Sequence, residues 1–561
     1  MAKSIDSKVV FMTTSPRTPE KMIPEIDLLA KNFSGKKWNV QTQVQFMQLL
    51  RNENFFHGSG ENSPDFSARD RINRAPKSLG FITLSTAINL TPAGRKLISA
   101  KRTEEIFLRQ LLKFQIPSPY HKSSEKAAKF FVKPYLEILR LVHKLGTLKF
   151  DELEIFGLQI TDFRKFDEIV KKIEDFIKQR TTTAKKYKEF KQLYFYNELQ
   201  EIYKEEIASG EFSTRESSTK TVKEFFNKKM SNMRDYADAC VRYLRATGLV
   251  SISQLGKSLS IMPEKKADVE FILKTVKKEP VFIDNEQKYI EYLGNPEFPK
   301  LLTDDKNSLI EKLETALPHE KINKNLSVLE LKEKLDNALL AKKNEIIRNQ
   351  VAEIKDYKQY DDIQQIFDLI PKRNSDLSDV PLMFEWNTWR AMTMLDGGNI
   401  KANLKFDDFG NPMSTAQGNM ADIVCNYDDF DLIVEVTIAS GQKQYEMEGE
   451  PVSRHLGKLK KETGRETYGL FIAPTINEAC IAQFYMLYHT NISYYGGKSA
   501  IVPLPLNIFR KMVEDSFKAD YMPKSNQVKA FFEYSKEIAK SSSNEQDWYR
   551  KITEKALDWL A

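Results

Sequence analysis

One short run constrains this chain more than any other: Leu432-Ile-Val-Glu-Val-Thr437, apolar and β-branched residues interrupted by a single acid. Such a run reads as a buried strand, and an unpaired carboxylate inside a strand of that kind is costly. Glu435 therefore needs a partner. Upstream, Ala421-Asp422-Ile-Val-Cys-Asn-Tyr427 is a second β-prone run, and the turn-forming residues Tyr427 to Asp431 lie between the two. The spacing predicts a β-hairpin with Asp422 at the start of its first strand and Glu435 deep in its second. Around the hairpin, β-prone runs alternate with helical segments, the α/β pattern.

With 561 residues the chain is too long for one hydrophobic core, and two to four domains are expected. The 41% hydrophobic and 29% charged content is that of a soluble globular protein. No run reaches the apolar length of a membrane span, and Met1-Ala-Lys-Ser4 begins no secretory signal, so a cytoplasmic protein without a membrane partner is expected. Cys240, Cys425 and Cys480 show no metal-ligand spacing and read as small buried hydrophobes. The net charge of +7 decides little, because a modest total can conceal a basic face opposite an acidic site.

Two stretches share an outline of helix, short hairpin and helix, that of a winged helix-turn-helix. In the first, a basic helix from Phe66 ends at Gly80; Phe81–Leu84 and Ile88–Leu90 are β-prone, and Thr91 caps a helix that starts at Pro92. In the second, a helix from Met233 stops at Gly248, strands follow at Leu249–Ile252 and Ser258–Ile261, and Pro263 opens the next helix. Arg69, Arg71, Arg74 and Lys77 cluster on the first helix, and Arg234 and Arg242 lie on the second. Arginine reads guanine edges with two donors, and both basic residues neutralise phosphate. The alternative is a solvated helix face. Lys-rich helices fill the interval from Phe150 to Lys229 and read as such a face.

From about Lys300 to Ile370, Leu326, Leu329, Leu331, Leu335, Leu339, Ile346, Ile347, Val351 and Ile354 recur near helical spacing. Pro371 to Pro381 is polar and proline-flanked, like a linker. The expected organisation is a recognition region at 1–300, with winged-helix-like units at about 1–120 and 200–275. A helical connector at 301–378 and an α/β domain at 379–561 follow.

Two carboxylates at one end of a hairpin repel each other unless a divalent cation lies between them. Mg²⁺ is the expected cofactor, with Asp422 and Glu435 as ligands, since it takes oxygen ligands and retains water. On a helix after the strand, Glu448 and His455 are seven apart and share a face, although Pro451 interrupts the run. Glu385 lies between aromatics in Phe384-Glu-Trp386 on a further helix. The blander reading is chance, because the chain carries 78 acidic residues.

Thr14-Ser-Pro-Arg-Thr-Pro-Glu-Lys21, Ser67-Ala-Arg-Asp-Arg-Ile72, Arg109 to His121 and Met233-Arg-Asp-Tyr-Ala-Asp238 resemble the recognition half of AlwI-type restriction endonucleases. Phe384-Glu-Trp-Asn-Thr-Trp389, Val434-Glu-Val-Thr437 and Met447 to His455 resemble their cleavage half. The resemblance implies a C-terminal restriction-endonuclease-like nuclease of the PD-(D/E)XK class, its acidic site at Glu385, Asp422, Glu435 and Glu448 with His455 nearby. It implies a Type IIS enzyme that binds a short asymmetric double-stranded DNA site, GAGTC in some members, and hydrolyses phosphodiester bonds a few base pairs outside it. Ala421 stands where the class has proline. Thr437 stands where it has lysine, leaving Lys443, Gln444, Glu448 or His455 to position the water. A partner is implied for the second strand, either another copy or a small nuclease subunit, along with a cognate DNA methyltransferase. The alternatives are a strand-specific nicking enzyme and a non-catalytic winged-helix regulator.

Overall fold

A computed structural model of the chain describes residues 8–53, 56, 63–121, 129–183, 186–210, 212, 221–253, 258–357, 360–371, 379–415, 420–519 and 521–560. They group into two compact units, Met1–Ala338 and Leu339–Ala561. The cut falls inside the 30-residue helix Val328–Tyr357, between the boundaries at 300 and 378 that composition suggests. The linker-like residues 372–378 lie outside the described residues. No described helix is long and apolar enough to cross a membrane.

The first unit contains both helix–hairpin–helix outlines. Pro64–Asn73 is helical, the helix breaks at Arg74 ahead of Pro76, and a short turn continues over Ala75–Ser78. Gly80 then takes φ +78°, a conformation that side chains disfavour. Ile82–Thr83 and Asn89–Leu90 pair antiparallel. Thr91 caps the helix Pro92–Ser99, its hydroxyl accepting from Gly94 N–H at 3.0 Å.

In the second outline the helix is longer than expected, Val222–Arg245, because Thr221, twelve residues before Met233, forms a capping box with Glu224. Gly248 (φ +65°) turns the chain into Val250–Ile252, which pairs with Ser258–Ile261. A third strand, Thr147–Lys149, joins the other edge of Ser258–Ile261. The start of Val328–Tyr357 is pinned within this unit, where Lys332 reaches Glu105 (2.8 Å) and Asp304 (2.6 Å). Asp304 is itself bonded by the buried Arg109 at 2.8 Å. Leu331, Leu335 and Ile354 are buried on the helix, but Leu329 is 74% exposed, so the apolar stripe faces a core only in part.

In the second unit, helix α1 (Val380–Met394) precedes β1 (Asn399–Ala402), β2 (Leu404–Phe406), β3 (Pro412–Thr415), β4 (Ile423–Asn426) and β5 (Phe430–Val436). Then come α2 (Gln442–Thr463), β6 (Glu466–Ala473), α3 (Glu478–His489), β7 (Ala500–Pro505), α4 (Leu506–Lys518), α5 (Ser525–Ser541) and α6 (Glu545–Ala556). The main sheet has the order β7-β6-β5-β4-β1. β5, β6 and β7 run parallel, while β4 pairs antiparallel with β5 and with β1. The expected hairpin is β4–β5, inside a mixed sheet whose strands alternate with helices. β5 is central and nearly all its residues are buried, which explains its continuous apolar run. α2 connects β5 to β6 and packs across both strands.

Candidate active site and nucleic-acid interface

The hairpin register sets Val434 opposite Ile423, which brings Asp422 and Glu435 to the same end of the sheet. The Val436 N–H donates to Asp422 Oδ2 at 2.9 Å, and the Asp422 carbonyl accepts from Asn403 N–H at 2.7 Å. Glu435 is only 5% exposed. Its Oε1 lies 2.6 Å from His455 Nδ1. The other acid of β5 behaves differently. Asp431 is fully buried but ion-paired with Arg465 at 3.1 Å and bonded by Asn426 at 2.9 Å. An acid in this strand is thus either neutralised by a cation or, at Glu435, placed against a second acid and an imidazole.

α2 runs unbroken through Pro451, so the shared face of Glu448 and His455 is real. Burial pushes the Asp422 carboxyl well above its ordinary range, and the charge of Glu435 adds to the effect. Burial does the same to Glu435, with Glu448 contributing. Glu448 is raised by burial, against which the Thr437 hydroxyl and His455 favour its charged form. His455 is lowered to about 4 by burial, with Arg454 adding to the shift. Its Nε2 is buried without a hydrogen-bond partner. With Glu435 ionised, Nδ1–H donates to it and Nε2 is left as an acceptor, the protonation state of a base.

Among the described residues no group of three or more His, Cys, Asp or Glu side chains is arranged as a metal cage. The acidic pair nevertheless fits Mg²⁺, which commonly binds one or two carboxylates and leaves its other positions to water and phosphate. A divalent charge between Asp422 and Glu435 would favour the ionised forms that burial, with the Glu435 charge at Asp422 and the Glu448 charge at Glu435, now disfavours.

Thr437 directly follows the strand, at the position where the resemblance implies lysine. Gln444 does not replace that lysine. It is fully buried, donates to the carbonyls of Ala439 (2.8 Å) and Thr475 (2.9 Å), and accepts from Asn477 N–H (2.7 Å). Its role is to tie the loop after Thr437 to the segment after β6. Lys443 is exposed on the first turn of α2. Glu385 is 8% exposed on α1, the helix packed against β1 and β5.

Most of the basic residues singled out in the first unit have partners within it. Arg69 pairs with Asp65 at 3.1 Å and stays 48% exposed. Arg74 pairs with Asp70 (2.5 Å) and donates to the Thr14 hydroxyl (3.2 Å). Arg71 instead reaches the buried Glu25 at 2.5 Å and lies over Phe56, so it holds the fold together. Lys77 lies 4.3 Å over the Tyr120 ring, and burial lowers its ammonium pKa. Arg234 is exposed, while Arg242 bonds Asp238 (3.0 Å) and Thr18 (3.5 Å). Sequence reasoning missed Glu25 and Arg17. Arg17 pairs with Asp235 at 2.7 Å. The one available signal was Arg17's place in the family-like segment Thr14–Lys21.

An acidic pair at a strand end, faced by a glutamate and an imidazole from the crossover helix, is a site equipped for hydrolysis. Comparison with family models finds a match to the AlwI restriction endonuclease model over residues 77–512, well over half of the chain. The chain therefore belongs to the AlwI restriction endonuclease family and is a DNA-cleaving restriction enzyme. No curated protein matches it. Among solved structures it is similar to the small subunit of the heterodimeric restriction endonuclease R.BspD6I, with 27% identity and a TM-score of 0.28, covering 36% of this chain and 95% of that one. It is also similar to the BpuJ1 endonuclease binding domain in complex with modified DNA, with 13% identity and a TM-score of 0.35, covering 52% of this chain and 98% of that one. Neither superposition is close enough to carry an argument about fold or partner.

Proposed function

We propose that this restriction enzyme is of Type IIS and Mg²⁺-dependent, binding a short asymmetric site, GAGTC or a relative of it, and cutting a few base pairs to one side. The observation that carries the reading is the packing of Asp422 against Glu435 at one end of the hairpin, with His455 2.6 Å from Glu435. The first unit, with its two winged-helix-like outlines, recognises DNA; the second is a nuclease of the PD-(D/E)XK class. Arg69, Arg74, Lys77, Arg234 and Arg242 contribute to binding, and Arg71 supports them through Glu25.

Asp422 and Glu435 would hold the cation. When bound, Mg²⁺ supplies Lewis acidity and lowers the pKa of a bound water. The Val436 N–H fixes one oxygen of Asp422 and leaves the other for a ligand. Glu435 orients the His455 ring through Nδ1, and Nε2 is the atom able to accept a proton from the attacking water. Thr437 and His455 favour the charged form of Glu448, which in the lysine's absence orients that water. Glu385, which the resemblance places in the acidic site, would join it from α1, the helix packed against β1 and β5.

One such constellation occurs among the described residues, so a double-strand break needs a second nuclease, from another copy or a small subunit; without it the chain nicks one strand. A methyltransferase would protect the host's own sites. The test is incubation with Mg²⁺ and a supercoiled plasmid of known sequence, followed by mapping of both strand ends. Ends at a fixed offset from one asymmetric site are expected, and open circles alone identify the nicking form. An uncut plasmid, or ends scattered without a common site, would overturn the reading.

A further inference from the structure

Two distant parts of the first unit converge on residues 14–18. Arg74 bonds Thr14 (3.2 Å), and the Ala75 N–H reaches the Ser15 carbonyl (3.4 Å). From the helix Val222–Arg245, the Tyr243 hydroxyl donates to the Pro16 carbonyl (2.8 Å) and Arg242 reaches Thr18 (3.5 Å). The segment is thus clamped between the basic helices of the two helix–hairpin–helix outlines, and Arg17 lies at its centre. Its Nη2 is 2.7 Å from Asp235, its Nη1 is 4.0 Å from Asp238, and its side chain remains 51% exposed. Asp235, Asp238 and Arg242 share one helix face by spacing.

We propose that Arg17 is a base-reading residue of the DNA interface, its guanidinium fork held by Asp235 and Asp238 and aimed at a guanine edge. This rests on the reading of the first unit as the recognition region. A phosphate contact needs only charge, and Asp235 at 2.7 Å offsets the charge of Arg17, while Asp238, at 4.0 Å, is shared with Arg242. They leave its donor geometry intact and fix it. A guanine N7/O6 edge is recognised by such a fork, and prior ordering of the side chain reduces the entropy lost on binding. The alternative is a surface ion pair that staples the segment down and adds little to stability.

The test uses the full chain in EDTA and fluorescence anisotropy on three kinds of duplex. One carries the site mapped from wild-type cleavage, one has it scrambled, and one set replaces each guanine of the site with 7-deazaguanine in turn. Arg17→Ala is expected to weaken binding to the mapped site by roughly ten- to a hundredfold. It should leave the scrambled duplex within about twofold and erase the response to one 7-deazaguanine position, as an independent base contact would. Arg17→Lys should not restore the site, because an ammonium lacks the fork. Equal weakening on both duplexes with a salt slope lower by about one would make Arg17 a phosphate contact and overturn the proposal. So would rescue by lysine, or a drop in melting temperature that accounts for the lost binding. A wild-type chain with no preference for its mapped site would instead overturn the recognition reading beneath it.

Discussion

Arg71→Ala separates a fold-holding arginine from a DNA-reading one. Arg71 is the counter-ion of Glu25, whose side chain is 4% exposed. The second carboxylate oxygen, Oε2, has no hydrogen-bond partner. Burial raises the Glu25 pKa even with Arg71 present, so the pair already compensates only part of the desolvation. Removing one partner of a buried pair costs about 3–5 kcal/mol. The Arg71 side chain is 27% exposed, and water entering the vacated space reduces the cost to about 2–3 kcal/mol. For a unit of 338 residues the entropy of unfolding is about 0.7 kcal/mol/K, so the melting temperature should fall by about 3–4 °C. Scanning calorimetry of the full chain measures this. The double variant Glu25→Gln, Arg71→Met should regain most of the loss, because no charge is stranded. Binding to cognate DNA well below the transition should remain within a few-fold of wild type. An unchanged melting temperature together with lost DNA binding would refute the structural assignment of Arg71.

Gln444→Leu leaves the Ala439 and Thr475 carbonyls and the Asn477 N–H unpaired, a cost of about 2–3 kcal/mol. Plasmid cleavage should slow by roughly an order of magnitude while the gel-shift affinity holds; an unchanged cleavage rate would mean that the loop after Thr437 needs no such tie. Chelation with EDTA should stop cleavage and leave site-specific binding intact, with activity returning on addition of Mg²⁺; full activity in EDTA would remove the metal from the account. Limited proteolysis within residues 371–381 should release a C-terminal fragment that contains Asp422 and Glu435 and cuts without site preference. A fragment that cuts site-specifically would contradict the division of labour between the units.

The hairpin was legible because it is encoded locally: a β-prone run, turn residues, then a continuous apolar run that a central strand requires. The caps at Thr91 and the turns at Gly80 and Gly248 were legible for the same reason, since each depends on one or two neighbouring residues. The helix from Val222 was foreseen only from Met233, because its signal lies in the Thr221–Glu224 capping box and the lysines after it read as a solvated face. Thr147–Lys149 pairs with Ser258–Ile261 across more than a hundred residues, and a three-residue strand carries no periodicity that announces such a partner. At the site, Asp422, Glu435, Glu448 and His455 were named from spacing and resemblance, and the register and an unbroken α2 bring them together. The partners of Arg71 and Gln444 were not legible, because Glu25 and the Thr475 carbonyl meet them only through tertiary packing.

If Asp422 and Glu435 form the hydrolytic site and take no part in DNA recognition, their removal separates cleavage from binding. The direct measurement compares Asp422→Ala and Glu435→Ala with wild type in two assays on the same preparations: conversion of supercoiled plasmid with Mg²⁺, and gel-shift affinity for the mapped site. Each variant is expected to lose cleavage by at least roughly a thousandfold, the scale of several kcal/mol of transition-state stabilisation, while binding the site within about twofold of wild type. Near-normal cleavage by either variant, or loss of binding in step with loss of cleavage, would contradict that separation.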